Sequence, residues 1–149
     1  DGVIGRVEFI RLRTSAVETR DSIVIILPNS KLTSEKVINW SHNKQNTRFE
    51  IRIGVAYGSN VELVRDTLIA CAKEHKDVAE NPGPRVRFYD FGDSSLVFDL
   101  RFWSSNMFRI ERVKSDLRFD IYHAFEKAGI KIPFPQRDVH MIKPESSIT

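Results

Sequence analysis

The sequence predicts an α+β protein in two unequal parts, and three observations carry that prediction. Short apolar runs broken by polar turns fill the first part, with no helical period. The polar, aperiodic stretch Ser41-His42-Asn43-Lys44-Gln45-Asn46-Thr47 then interrupts the pattern. Beyond it the periodicity alternates between strand and helix in the order β-α-β-β-α-β, the split βαβ or ferredoxin-like arrangement. The expected division is a β domain over 1–45, a ferredoxin-like α/β domain over 46–140 and a tail over 141–149.

In the first part, strands are expected over 3–12, 15–19, 22–27 and 36–40. Thr19-Arg20-Asp21-Ser22 suits a hairpin turn. Pro28-Asn29 ends the run Ile23-Val24-Ile25-Ile26-Leu27, because proline cannot donate to a ladder and asparagine tolerates turn geometry. Four strands in so short a segment make a small, strongly bent barrel or sandwich with a thin core, incomplete or finished by neighbouring subunits.

In the second part, Phe49, Ile51, Ile53, Val55 and Tyr57 alternate with polar or small residues as in a half-buried strand. Ser59 and Glu62 have capping-box spacing. Val61, Val64, Leu68 and Ala72 share one face of a helix expected to reach Asp77, and Pro82-Gly83-Pro84 forbids its continuation. Strands over 85–91 and 95–103 are joined through Gly92-Asp93-Ser94. Val113, Leu117, Ile121, Ala124 and Phe125 mark a second helix, Gly129 stands where a left-handed cap belongs, and 130–132 is the expected last strand.

Composition bounds the function. With 41% hydrophobic and 29% charged residues in 149, the chain has the balance of a globular protein. No window approaches the roughly 20 apolar residues that span a bilayer, and the N-terminus lacks signal-peptide character, so a soluble segment is expected. It starts abruptly, as an excised piece of a larger protein would. The single cysteine, Cys71, excludes an internal disulfide and favours a reducing compartment. A net charge of +3, spread along the chain, permits nucleic acid without indicating it.

Alternation also sorts the sheet's faces. Phe49, Ile51, Ile53, Val55, Val86, Phe88, Leu96, Phe98, Leu100 and Phe102 belong to the face both helices cover. Glu50, Arg52, Arg87, Tyr89, Phe91, Asp99, Arg101 and Trp103 belong to the other. That mixture of arginine and large aromatics reads as a packing surface, with Tyr89, Phe91, Arg101 and Trp103 as candidate interface residues. A solvated face and a nucleic-acid stacking face are the alternatives.

No enzyme is expected, and no cofactor. Cys71 and His75 share a helix face, but structural zinc takes four ligands and no second pair is suitably spaced; a buried thiol beside a surface histidine is the expectation. His42, His123 and His140 share no motif. Asp90, Asp93 and Asp99 flank a hairpin and read as turn carboxylates and one outward strand residue rather than a calcium site.

Six segments, in order, carry a resemblance: Gly2-Val3-Ile4-Gly5-Arg6-Val7, Ile26-Leu27-Pro28-Asn29-Ser30-Lys31-Leu32, Val37-Ile38-Asn39-Trp40-Ser41, Ile53-Gly54-Val55-Ala56-Tyr57-Gly58-Ser59, Asp93-Ser94-Ser95-Leu96 and Ile132-Pro133-Phe134-Pro135-Gln136. With them the chain resembles the cytosolic region of the small-conductance mechanosensitive channel family. The resemblance implies a Sm-like β domain, here short of its first strand, followed by an α/β domain. In such channels the two lie beneath a transmembrane pore on the cytoplasmic face of the inner membrane. There they assemble as a ring, usually of seven subunits, into a cage through which ions and small solutes pass when membrane tension or hypo-osmotic shock opens the pore. The membrane segments would precede residue 1, so this piece would neither conduct nor sense tension alone.

Carried over by position, Pro28, Asn29 and Ser30 lie in the loop that faces the membrane side and couples to the pore helix. Pro133, Phe134, Pro135 and Gln136 form the exit toward the cage floor. The rival is an RNA-binding or protein-interaction module on the same two scaffolds. The strand Ser95-Leu96-Val97-Phe98-Asp99-Leu100-Arg101-Phe102-Trp103 lacks the glycine-aromatic signature of an RNA-recognition sheet and carries an acid mid-face, so nucleic acid is not expected.

Overall fold

The structure, a computed structural model, describes residues 4–34, 36–37 and 46–141. Two antiparallel three-stranded sheets account for the strands. The first is β1 (Gly5–Ile10), β2 (Thr14–Thr19) and β3 (Val24–Pro28) in that spatial order, followed by a short helix, α1 (Asn29–Ser34). The second is built from β4 (Thr47–Val55), β5 (Arg85–Phe91) and β6 (Leu96–Ser104), with β6 in the middle. Helices α2 (Val61–Glu74) and α3 (Ile110–Ala128) cover one of its faces.

The first sheet is open, and no barrel closes among the described residues. Every residue of β1 is exposed, and only Ser15 and Ala16 are buried among those described up to Leu32. The expected 36–40 strand and the 41–47 boundary lie largely outside the described residues. Lys36 and Val37, which are described, are not in a strand. Helix α1 replaces the expected turn at Pro28-Asn29. It buries nothing, so no apolar period announces it.

The core lies in the second part. Phe102 and Phe125 are essentially inaccessible, as are Ile51, Leu68, Leu100 and Leu117 from both sheet and helices. Burying one such side chain contributes about 1.5–3 kcal/mol. The helix face of α2 is the one periodicity predicts, but its ends differ. Asn60, not Ser59, caps it, its Oδ1 accepting from Leu63 N at 3.0 Å. The Ser59 hydroxyl instead donates to Ala56 O at 2.7 Å. The helix stops three residues before Asp77, because His75 turns extended (φ −79°, ψ 122°) and its carbonyl accepts from Val78 N at 3.0 Å. Gly129 takes the expected left-handed conformation at φ 69°, where a Cβ would be strained.

Residues 130–132 form no strand. A single bond from Ala56 N to Lys131 O, 2.8 Å, ties them to the β4 edge. Pro133 and Pro135 then follow, and neither has an N–H with which to extend a ladder.

A bulge in β5 changes which way its end faces. Phe88 pairs with Phe98 and Asp90 with Val97, so Tyr89 is an extra residue without a partner. Phe91 therefore lies opposite Leu96 on the helix-covered side, packed against Phe88 at 4.8 Å between ring centroids, and not beside Arg87 as strict alternation predicts. Phe88 itself sits at the margin of the core, partly exposed.

Candidate functional site

The face of the second sheet turned away from the helices is organised in rows by the strand register. Arg52, Asp99 and Arg87 form one row across β4, β6 and β5. Asp99, expected as an outward strand residue, does lie on this face but is buried: it accepts from Arg52 Nε and from Arg87 Nη2, each at 3.0 Å. Its cover is the two arginines themselves, which remain half-exposed, rather than depth in the core. Tyr89, freed from the ladder by the bulge, lies under both, with guanidinium carbons 3.8 and 5.0 Å from its ring centroid. Burial alone would push the Asp99 carboxyl up. The hydrogen bonds and charges of Arg52 and Arg87 outweigh it and hold the group below the usual carboxylate range. The same bond to Asp99 raises Arg52 further.

The next row is Glu50, Arg101 and Arg85, and beyond it Arg48 lies opposite Trp103. Glu50 Oε2 is 3.9 Å from Arg101 Nε, too far for a hydrogen bond, and that nitrogen is buried without a partner. Arg85 and Arg101 stand directly opposite each other. Of the four candidate interface residues, Tyr89, Arg101 and Trp103 thus share a face, and Phe91 is on the other. Sequence reading missed the pairing of Asp99 with two arginines. Its signal was present, since Arg52, Arg87 and Asp99 fall on one face once register is assigned.

Asn29 has a definite structural role. Its Nδ2 donates to Arg11 O at 2.8 Å and Leu12 O at 3.3 Å, its Oδ1 accepts from the buried Ser15 hydroxyl at 2.7 Å, and its N–H donates to Arg13 O at 2.9 Å. It ties the end of β3 to the β1–β2 turn. Pro28 closes β3 opposite Thr14, and Ser30 O accepts from Thr33 Oγ1 at 2.9 Å.

Pro133, Phe134 and Gln136 line an open groove of about 590 Å³ between α3 and the end of β4, together with Tyr57, Tyr122 and Phe125 among others, and Pro135 lies between them in the chain. Gln136 N donates to Ser94 Oγ at 3.1 Å, which anchors the segment, while Phe134 is 84% exposed.

The remaining titratable groups do not converge. Burial, then the charges of Asp120 and Glu74, pushes the Cys71 thiol up, so it is held as a protonated thiol. His75 is not the expected surface group: its side chain is 8% exposed, its Nδ1 accepts from Asp77 N at 3.2 Å, and its Nε2 lies 3.9 Å from Asp116. Asp90 accepts from the N–H of Phe91, the next residue, apart from Asp99. Among the described residues, no three His, Cys, Asp or Glu side chains gather as metal ligands, and no helix is long and apolar enough to cross a membrane.

Comparison with known proteins adds the lineage. Residues 1–42 match the family model "Mechanosensitive ion channel, beta-domain", and residues 49–132 match "Mechanosensitive ion channel MscS, C-terminal". Mechanosensitive channel MscK of Escherichia coli is 37% identical over 92% of this chain and 12% of its own length. The small-conductance mechanosensitive channel of Edwardsiella ictaluri is 31% identical over 94% of this chain and 48% of its own length. The closed-state crystal structure of Helicobacter pylori MscS superposes with a TM-score of 0.81 at 30% identity, over 97% of this chain and 56% of that one. Arabidopsis thaliana MSL1, 14% identical with a TM-score of 0.66, shares the fold. The chain spans about half the length of most of these relatives, and far less of MscK. From the two family models matched in order along it, the chain belongs to the MscS family of mechanosensitive ion channels.

Proposed function

We propose that this chain is the cytosolic vestibule of a mechanosensitive channel that releases ions and small solutes when membrane tension rises on hypo-osmotic shock. The observation that carries this reading is the match of both family models in chain order, β-domain and then C-terminal region. The three-stranded first sheet, open at its edges, fits a Sm-like domain short of a strand, and the β4-β6-β5 sheet under two helices fits a ferredoxin-like unit. The bond from Ala56 N to Lys131 O at the end of β4 supports that reading, since a fourth strand would add at this edge. In this reading the pore belongs to membrane segments of the parent protein at the inner membrane, and this chain forms a wall rather than a gate. Subunits associate in a ring, with seven as the expected number. Against the RNA-binding alternative, such a sheet would carry Asp99 and its two guanidinium partners at its centre.

Pro28, Asn29 and Ser30 are the proposed membrane-side coupling loop. That Asn29 cross-links three segments supports the role, because a displacement of the loop would be passed to the first sheet as a unit. Pro133 to Gln136 is the proposed exit toward the cage floor. Patch recording of the parent protein in a bilayer tests the reading: stretch-activated current is expected, and a silent but correctly inserted protein would overturn it.

A further inference from the structure

We propose that Arg85, Arg101 and Arg48, grouped around Trp103 on the open face of the second sheet, form a binding site for a soluble di- or triphosphate anion. The inference does not depend on ring assembly or permeation. Five arginines share this face (Arg48, Arg52, Arg85, Arg87, Arg101) with three acids, Glu50, Asp99 and Asp90, the last paired with Val97 at the opposite end of the sheet from Arg85, which leaves two positive charges uncompensated. The row through Asp99 is settled, since one buried carboxylate takes a hydrogen bond from each flanking arginine.

The row beside it is not settled. Its acid, Glu50, stands at the far strand, and its two arginines are neighbours. Like charges directly opposite on antiparallel strands repel. Arg101 Nε is buried and unbonded with Glu50 at 3.9 Å, and no acid among the described residues lies within ion-pair range of Arg85 or Arg48. Glu80, in the loop before β5, is exposed and pairs with neither. The Arg85 guanidinium lies 5.9 Å from the Trp103 ring centroid, loosely enough for that ring to meet another planar group. A phosphate oxygen between Arg85 and Arg101 would remove the repulsion and satisfy donors the protein leaves open, and a guanidinium fork matches phosphate geometry in two bonds.

Charge also sorts the possible occupants. A second copy docking face to face would set uncompensated arginines against arginines, and a ring contact, which sets this face against a different one, is the self-association outcome of the test below. A long nucleic acid would have to cross Asp99. A compact polyphosphate needs only the corner.

The test is titration of the 149-residue chain with pyrophosphate and with ATP, read by calorimetry. A Trp40→Phe variant leaves Trp103 as the sole tryptophan for fluorescence. Saturable binding is expected, weakened about tenfold or more in Arg85→Ala and in Arg101→Ala. Arg85→Lys should bind at an intermediate level, because it keeps the charge without the fork. Arg65→Ala, on α2 and paired with Asp66, should bind as the parent does. Affinity should fall as salt rises. Thermal melts establish that each variant is folded. No saturable signal, equal affinity in the Arg85 and Arg65 variants, or tighter binding of an oligonucleotide than of pyrophosphate would overturn the proposal. Self-association that Arg85→Ala abolishes, with no anion binding, would assign the face to another copy and overturn it as well.

Discussion

Asn29 shows how much one side chain can organise where there is little core to help. Its amide and backbone reach four partners around the β1–β2 turn, and one of them, the Ser15 hydroxyl, is fully buried. Asn29→Ala should destabilise the first sheet by about 1–2 kcal/mol, since Ser15 would lose its acceptor inside the protein. Amide exchange across β1–β3 measures this, and unchanged protection there would count against the role. At the sequence level the residue reads as a turn former, because a contact eighteen residues back along the chain leaves no local pattern. Asp99 is the second case. Its folded-state pKa lies below the unfolded value of about 3.9. Its contribution is therefore complete above the unfolded pKa and is lost as pH falls through the folded value. Water around the half-exposed partners reduces the effect. Urea unfolding at pH 7 and pH 3 should show a smaller acid loss in Asp99→Asn than in the parent protein, and equal losses would refute the pairing as its source.

At the scale of elements, long periodic segments were legible and their ends were not. Val113, Leu117, Ile121 and Phe125 give α3 directly, and all four are buried as the spacing requires. The cap of α2 moved from Ser59 to Asn60 because both can accept at a helix start, and only Asn60 meets Leu63 N. The 130–132 segment has strand-like residues, yet only the bond from Ala56 N to Lys131 O is made to the β4 edge, and Pro133 and Pro135 stop the pairing from lengthening. In β5, alternation fails after Phe88 because Tyr89 is an inserted residue that the pattern counts as an ordinary one. The candidate interface shared this error in Phe91 alone. Deleting Tyr89 should leave Phe91 opposite Leu96 and the fold intact, removing only the ring under Arg52 and Arg87. A melting temperature within a few degrees of the parent's is expected, and collapse of the fold would show that the bulge is required.

For the molecule as a whole, composition and charge count gave no hint that the arginines collect on one sheet face. Alternation already placed Arg52, Arg87 and Arg101 together, and register adds which arginine stands opposite which residue once β4, β5 and β6 are aligned. The two parts differ in cohesion as well: the second has its own core, while the first relies on Asn29 and on contacts beyond itself. Two such contacts are described. Arg20 Nη2 donates to Met107 O at 3.0 Å, and the Arg6 guanidinium lies 5.2 Å from the Phe108 ring centroid. Both end on the loop between β6 and α3. Arg20→Ala should raise amide exchange at residues 105–109 and leave the α2–α3 core unchanged; equal exchange in the two proteins would show that the loop holds without it. The consequence is mechanical. If the first sheet is pulled or turned, these two contacts pass part of the load, beside the chain connection into β4, to the N-terminal end of α3, where Arg109 offers no side-chain cap. That end of the helix is a weak joint on this path, and it should yield before the buried turns behind it.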